Sequence, residues 1–222
     1  MRISSSRPTG SAAQRAYDFT KWAILSAVYA AGDVITEAGV AHEIGVSRTP
    51  VREALLRLEV EGLVQLQPKR GAVVSSFTAG EVEDVLEARV LVENYTAARS
   101  FMNRARLLPQ LEKAHMVMSQ CRKQRDTAGF TQADRVFHEL IVDAAGNAVL
   151  SSIYRTLRER QTLFTSVLMR GRTDRMDDAV AEHGRILNTL RQDTEKVFTD
   201  AVNAHLEWSI GLARASRKMT PV

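Results

Sequence analysis

The chain has 222 residues, of which 45% are hydrophobic and 25% are charged, and its formal net charge is +4. This composition is typical of a globular protein and excludes a disordered one, and the length suits two domains. We find no apolar run long enough to cross a membrane and no apolar core of a secretory signal near the N-terminus. A single cysteine, Cys121, excludes an intramolecular disulfide. We therefore expect a cytoplasmic protein.

The charge is spread evenly, because residues 1–78 and 79–222 each contribute +2. Net charge is thus weak evidence for a nucleic-acid partner, and any basic surface for DNA must be local.

The first elements along the chain predict a small DNA-binding domain. Residues 1–14 are polar and are interpreted as a flexible arm. Helices are predicted over 16–31, 36–43 and 47–61, with Gly45 at a turn and Gly62 as a stop. Alternating apolar residues over 63–67, a turn at 68–71 and a return strand over 72–74 predict a hairpin. Three helices and a hairpin make a winged helix-turn-helix, assigned to residues 15–76.

The third helix has the pattern of a recognition helix. Ser47 is a suitable N-cap, and Pro50 falls in the first turn, where a missing N–H is tolerated. An inward apolar face is predicted from the spacing of Val51, Ala54, Leu55 and Leu58. The residues left facing outward at the helix start, where base edges and phosphates are contacted, are Arg48, Thr49 and Arg52.

The hairpin tip adds basic residues that can reach the DNA backbone or the minor groove. Lys69 and Arg70 lie at this tip, and Gly71 allows a tight turn. Arginine suits both places because its planar guanidinium group can form two hydrogen bonds with a guanine edge or a phosphate. On spacing alone, a solvated helix with ordinary surface arginines stays open as the alternative.

The second half of the chain is predicted to be all helical, and we assign residues 77–222 to one domain. Thr78 and Glu81 form a capping-box start, and the short link before it predicts coupled domains. Helices are predicted over 79–105, 107–124, 127–145, 147–170, 174–191 and 194–217. The breaks between them are assigned to Pro109, Gly129, Gly146 and Gly171.

One carboxylate and three histidines of this half are candidate metal ligands. Asp134 precedes His138 by four residues, so both lie on one helix face, and His183 and His205 fall on two further helices. Neutral imidazole with carboxylate suits zinc foremost, and also nickel or manganese. The residues alone leave open that each histidine is only a packed helix residue.

Arg89 lies among apolar residues of the first helix of this half, and a buried arginine needs an anionic partner. That partner is either Glu93, four residues on, or an anion from outside the chain. Tyr154, Arg158 and Gln161 lie along one helix face and are candidates to line the same cavity. The charge run that contains Arg158 favours a solvated face instead.

Two segments carry a resemblance to a known family. Residues 45–55 (GVSRTPVREAL), the LE-x-EGLV run over 58–64 and the RGA-x-V run over 70–74 resemble the DNA-binding domain of GntR-family bacterial transcription regulators. The resemblance implies a homodimer reading a palindromic operator through Ser47, Arg48, Thr49, Arg52, Arg70 and Gly71. Ala38 departs from the family, since some relatives carry a basic DNA-contacting residue there.

Residues 79–217 carry an R-x-x-x-E run over 89–93, a D-x-x-FH run over 134–138, AGN at 145–147, an EH-x-x-IL run over 182–187 and HL at 205–206. With these motifs the segment resembles the FCD effector domain of FadR-type members of that family. The resemblance implies metal ligation by Asp134, His138, His183 and His205, and a grip on the carboxylate of a small organic acid by Arg89. Six predicted helices rather than seven indicate the VanR-like branch.

These observations lead to one hypothesis and two rivals. The hypothesis is a non-enzymatic, ligand-responsive repressor that binds operator DNA as a homodimer and responds to an acid bound beside a divalent metal. One rival is a metal-dependent hydrolase or lyase using the Asp/His site, although we find no motif for a general base or nucleophile. The other is a metal sensor in which the ion itself is the signal.

Overall fold

The computed structural model describes residues 10–26, 28–68, 70–76, 78–168, 174–192 and 194–219, without the side chains of 79, 163–168, 174, 208–209 and 212–219. The chain divides into two compact units, Met1–Ser76 and Phe77–Val222. The elements in chain order are α1 (Ala12–Leu25), β1 (Val34–Ile35), α2 (Glu37–Ile44), α3 (Arg48–Val60), β2 (Val64–Gln67), β3 (Gly71–Val74), α4 (Ala79–Ser100), a 3₁₀ turn (Phe101–Asn103), α5 (Arg104–Gln124), α6 (Thr127–Ala144), α7 (Ala148–Leu168), α8 (Asp174–Gln192) and α9 (Glu195–Met219).

The first unit is a winged helix-turn-helix, which confirms the predicted fold class. Its antiparallel sheet has the order β1-β3-β2, with Val64 opposite Val74 and Val34 opposite Val73. The sequence missed β1 because two residues carry no readable alternation. This strand forms by pairing with the free edge of β3, which is a tertiary event.

Helix α1 differs from its predicted range of 16–31. It begins at Ala12, within the predicted arm, because the Ser11 hydroxyl accepts a hydrogen bond from the Gln14 amide at 3.1 Å. It ends at Leu25. The remainder of the predicted arm, residues 1–9, lies outside the described residues.

Helix α3 has the predicted buried face, made of Val51, Ala54, Leu55 and Leu58. Ser47 occupies the N-cap position in extended conformation, but its hydroxyl makes no capping hydrogen bond, contrary to the prediction. Part of the reason is Pro50, which stands at the third helical position. A capping hydroxyl bonds the second or third amide, and proline has no N–H to offer there.

The second unit is an all-helical bundle, as predicted. Helix α4 packs against α6, α7 and α9, and α5 packs against α6 and α8. The predicted capping box is present, with the Glu81 amide bonded to the Thr78 hydroxyl and the Glu81 carboxylate bonded to the Thr78 amide. The largest fully buried side chains of this unit include Leu107, Leu111, Met118, Phe137, Ile141, Tyr154, Met176 and Phe198.

Two predicted helix breaks are wrong. Pro109 lies inside α5, and the chain turns earlier, at the 3₁₀ turn Phe101–Asn103. Proline disfavours a helix interior by about 3 kcal/mol, but the fully buried Leu107 and Leu111 on either side offset this cost. Gly129 lies in the first turn of α6, where its amide donates to Asp126.

Gly146 follows the end of α6 in left-handed conformation, with φ +73°, which agrees with its predicted role as a helix stop. The predicted break at Gly171 lies outside the described residues.

Candidate metal centre and nucleic-acid interface

Three helices of the second unit bring the four predicted metal ligands together. Helix α6 carries Asp134 and His138, α8 carries His183, and α9 carries His205. One ligand atom from each residue lies within 4.8 Å of all the others. The His138 Nε2 atom is 3.2 Å from the Nε2 atoms of both His183 and His205, and Asp134 Oδ1 is 3.2 Å from His183 Nε2.

The other ring nitrogen of each histidine has its own acceptor. His138 Nδ1 donates to Glu93 Oε2 at 2.6 Å, and His205 Nδ1 donates to Glu182 Oε2 at 2.6 Å. His183 Nδ1 donates to the Ala179 carbonyl oxygen at 2.7 Å. A carbonyl or carboxylate oxygen only accepts, so Nδ1 carries the hydrogen and Nε2 presents a lone pair. Three lone pairs therefore converge on one point.

Burial favours the uncharged form of the His138 and His205 imidazoles. Desolvation lowers the pKa of His138, and it lowers the pKa of His205 to about 3 with help from neighbouring His183. Neutral imidazole is the form that ligates a metal.

The nearby carboxylates stay ionised. Burial raises the pKa of Asp134, but the positive charge of Arg158 outweighs it, so the pKa lies well below the ordinary value. Glu182 has a pKa of about 2, because its bonds to His205 and Arg175 outweigh desolvation.

The donor set fits a divalent transition metal. A tetrahedron with bonds of about 2.0–2.1 Å has edges of about 3.3 Å, and three of the ligand pairs are separated by 3.2 Å. Three nitrogens and one oxygen suit zinc, nickel or manganese.

The four residues predicted to bind an effector also come together beside this cluster. Arg89 donates to Glu93 Oε1 from Nε at 3.0 Å and from Nη2 at 2.7 Å, which is one of the two partners that the sequence left open. Arg89 Nη1 and Arg158 Nη1 both donate to Gln161 Oε1, at 2.6 and 2.8 Å. Tyr154 donates its hydroxyl to Glu93 Oε1 at 2.5 Å.

Arg158 does not lie on a solvated face, contrary to the interpretation of its charge run. It is 3% exposed and donates to Asp134 Oδ2 at 2.6 Å. This bond leaves Oδ1 of Asp134 to face the histidines.

Sequence reasoning missed the residues that hold the histidines. Glu93 was considered only as a partner of Arg89, and Glu182 was given no role. Glu182 adjoins His183 in sequence but serves His205 on another helix, which no local pattern signals. Arg175 in turn holds Glu182 through two hydrogen bonds, at 2.9 and 2.7 Å.

Most of the residues predicted to face DNA are exposed, whereas Gly71 is half-buried. Ser47, Arg48, Thr49 and Arg52 are exposed at the start of α3, and so is Arg70 on the wing. Lys69 lies outside the described residues.

Gly71 has a packing role of its own. Its φ is +104°, and a Cβ atom there would overlap the carbonyl oxygen of Ile35 on β1. Glycine is therefore required for the close approach of β1 to β3.

No helix in the described part of the chain is long and apolar enough to span a membrane.

Comparison with protein-family models gives two matches. Residues 12–74 match the model of bacterial regulatory proteins of the gntR family, and residues 84–207 match the FCD domain.

Among curated proteins, an HTH-type transcriptional regulator in the TAR-I ttuE-ttuC' intergenic region of Agrobacterium vitis is 32% identical over 134 residues, which are 59% of this chain and 78% of that protein. The gluconate operon transcriptional repressor of Bacillus licheniformis is 31% identical over 150 residues, which are 67% of this chain and only 61% of the repressor.

Two solved structures share the fold. Escherichia coli McbR/YncC has a TM-score of 0.83 at 17% identity, covering 94% of this chain and 99% of that one. A GntR transcriptional regulator from Rhodococcus sp. RHA1 has a TM-score of 0.81 at 18% identity, covering 93% and 99%. With both domain models matched in order, the chain belongs to the GntR family of DNA-binding bacterial transcriptional regulators, with an FCD domain after the helix-turn-helix, and not to a family of enzymes.

Proposed function

We propose that this regulator is a repressor whose FCD domain binds a divalent metal and a small carboxylate, and that the acid changes its affinity for operator DNA. The observation that carries the proposal is the convergence of three imidazole nitrogens and one carboxylate oxygen. Repression is favoured because three relatives are named as repressors, two of them of gluconate operons in Bacillus species and the third RspR of E. coli. Gluconate is itself a small carboxylate.

The tautomers of the histidines support the binding of a metal. His138 Nε2 lies 3.2 Å from the Nε2 atoms of both His183 and His205, and each of these atoms presents a lone pair. Without a cation the lone pairs repel one another in a buried site, where water screens them least. A cation at their centre turns this repulsion into ligation. Zinc is our first choice for the ion, with nickel or manganese as alternatives.

Two arginines support the binding of an acid. Arg89 and Arg158 share one neutral acceptor, Gln161 Oε1, and Arg158 Nε is buried with no hydrogen-bond partner among the described residues. A carboxylate of a ligand accepts from two guanidinium groups more strongly than an amide oxygen does. Arg89, Tyr154, Arg158 and Gln161 are thus the proposed effector-binding residues.

The charge balance of the site also favours a bound anion. The guanidinium groups of Arg89, Arg158 and Arg175 balance the carboxylates of Glu93, Asp134 and Glu182, to which they are bonded. With neutral imidazoles, a divalent ion then leaves two uncompensated positive charges in a mostly buried site. A buried net charge is costly, so an anion beside the metal is favoured.

The DNA-binding surface is proposed at the start of α3 and at the wing tip. Arg48 and Arg52 lie one turn apart and are both exposed, which suits contacts with base edges and phosphates. The hydroxyl of Ser47 is not used for capping and is available to a phosphate. The proposed contacts are Ser47, Arg48, Thr49, Arg52, Lys69, Arg70 and the backbone at Gly71.

A homodimer is proposed because a palindromic operator matches a two-fold symmetric protein. The second copy is proposed to pack on an exposed apolar face of α4, on which Leu91 is 72% exposed and Tyr95 55%. This face borders a groove of about 410 Å³ beside α7, lined by Val92, Asn147 and Leu150 as well.

The charges on α4 suit such a pairing. Glu87 and Arg99 are exposed and lie equally far along α4 from the middle of the Leu91–Tyr95 face. An antiparallel copy of α4 then brings Glu87 of one protomer opposite Arg99 of its partner.

Helix α4 is proposed to carry the signal. It bears Arg89 near the proposed effector site, and it begins at the Thr78 cap directly after the first unit. An acid that binds one arrangement of α4 more tightly than another shifts the equilibrium between the two arrangements, and operator affinity changes with it. The change is limited by the difference between the free energies with which the acid binds the two arrangements. Six α-helices after Ser76 in the described chain support assignment to the VanR-like branch of the FadR subfamily.

Fluorescence anisotropy on DNA from the region upstream of this gene tests the proposal. The protein is titrated after dialysis against chelator or against zinc, each with and without a panel of small organic acids. We expect salt-dependent binding that at least one acid weakens in the zinc-loaded protein.

Two other outcomes favour the rivals. Operator affinity that responds to zinc but to no acid indicates a metal sensor. Turnover of an acid without any affinity for DNA indicates a metalloenzyme.

A further inference from the structure

Glu93 lies between the proposed metal site and the proposed effector site. It is on α4 and fully buried. Its Oε1 atom accepts hydrogen bonds from Arg89 and Tyr154, and its Oε2 atom accepts one from His138 Nδ1 at 2.6 Å. One carboxylate is thus shared by a proposed effector-binding arginine and a proposed metal ligand.

The sharing has an electrostatic consequence for the metal ligand. A carboxylate bonded to the Nδ1–H of a ligating histidine raises the basicity of that ligand. Arg89 bonds the same carboxylate with two N–H groups and so draws off part of its negative charge. The donor strength of His138 therefore depends on whether Arg89 is engaged by Glu93.

Resting on the function proposed above, we propose that Glu93 couples the two sites, so that an acid which engages Arg89 tightens the binding of metal through His138. When Arg89 turns towards an anion, Glu93 still keeps the Tyr154 hydroxyl on Oε1 and the His138 N–H on Oε2. The carboxylate is not left without partners in the core, so the rearrangement avoids the cost of an orphaned buried charge. By thermodynamic linkage, bound metal increases the affinity for the acid by the same factor.

Glu182 provides a matched control within the same cluster. It holds His205 Nδ1 at 2.6 Å, the same distance at which Glu93 holds His138, and it is bonded to an arginine, Arg175. Arg175 is not among the proposed effector-binding residues. Glu182 therefore supports a metal ligand without joining it to the acid.

The test measures zinc affinity of the full-length protein by competition with a chromophoric chelator at fixed pH. Acetate is the probe, compared with chloride at equal ionic strength, in the wild type, Glu93→Gln and Glu182→Gln. Both variants should bind zinc about 10–100-fold more weakly than the wild type. Acetate should increase the affinity for zinc about tenfold in the wild type and in Glu182→Gln, but less than twofold in Glu93→Gln.

A second variant separates coupling from structural damage. Arg89→Gln removes the guanidinium that competes for Glu93, so in chloride it should bind zinc about as tightly as the wild type does in acetate. Its visible Co²⁺ spectrum in chloride should likewise match that of the wild type in acetate. A substitution that merely loosened the core would weaken zinc instead, and that result overturns the inference.

The remaining outcomes separate this inference from the proposed function. An undiminished acetate effect in Glu93→Gln, or an equal loss in both glutamate variants, overturns the coupling while leaving metal and acid binding intact. The coupling is equally overturned if the wild type binds zinc and acetate independently. A wild type that binds no zinc or no acetate overturns the proposed function, and the coupling with it.

Discussion

The imidazole rings of His138 and His205 lie stacked, with centroids 5.1 Å apart and planes inclined by 15°, and their Nε2 atoms are 3.2 Å apart. These residues are 67 positions apart in the chain and lie on α6 and α9. Each ring is fixed from behind by a carboxylate, which is the arrangement that holds metal-binding histidines.

Replacing a proposed ligand should remove the metal. His183→Ala is expected to lose most of its zinc on dialysis, measured by inductively coupled plasma mass spectrometry, because one converging lone pair is deleted. His115→Ala is the matched control, since His115 bonds the Val180 carbonyl oxygen and lies outside the cluster. Full zinc occupancy in His183→Ala would reject the site.

The metal-free protein should lose stability in mild acid. Burial lowers the pKa of His205 to about 3 in the folded state, against about 6.5 when unfolded. The unfolded chain therefore binds the additional proton as the pH falls below 6.5, and stability falls with it. His205 alone should contribute a loss of about 1 kcal/mol between pH 7 and pH 5.5.

Thermal melts in chelator at the two pH values measure this loss. His205→Gln cannot titrate, so its own melting temperature should fall less over the same interval. An equal fall in wild type and variant would contradict the assignment.

Arg52→Ala should weaken specific DNA binding by about 1–3 kcal/mol, measured by anisotropy on the operator. Arg57→Ala is the control on the same helix. The Arg57 guanidinium lies 3.8 Å from the centre of the Tyr17 ring and donates to Gln14, so it joins α3 to α1 and should leave affinity unchanged. Wild-type affinity in Arg52→Ala would refute the proposed DNA contact.

Gly71→Ala should destabilise the first unit by more than about 2 kcal/mol, because left-handed strain adds to overlap with the Ile35 carbonyl oxygen. Gly45→Ala is the control, since Gly45 also has a positive φ, +67°, but a Cβ atom there meets open space. Its cost should be about 1 kcal/mol. Equal melting temperatures of the two variants would show that the β1–β3 approach imposes no constraint.

Leu91→Glu should dissociate the proposed homodimer, because it places a charge at the centre of the apolar face of α4. Sedimentation velocity measures the shift from dimer to monomer. Met116→Glu is the control, as Met116 is exposed on α5. A Leu91→Glu protein that remains dimeric would place the interface elsewhere.

Much of the fold could be read from local signals. The buried stripe of α3, the capping box at Thr78 and the stop at Gly146 each depend on residues within a few positions of one another. The predictions were wrong where contacts with residues distant in the sequence determine the local structure. Val34–Ile35 becomes a strand because β3 offers an open edge, and Pro109 remains helical because its neighbours are buried.

The same distinction between local signals and tertiary contacts applies to the candidate site. The sequence by itself determined which side chains are able to bind a metal, since the resemblance to FCD domains implies Asp134 and the three histidines as ligands. Tertiary structure alone decided that their ligand atoms meet, that Glu93 and Glu182 fix the histidine tautomers, and that Arg158 is buried against Asp134. The physical reason is that hydrogen bonds and burial act between side chains that packing brings together, whereas sequence patterns record only neighbours along one helix.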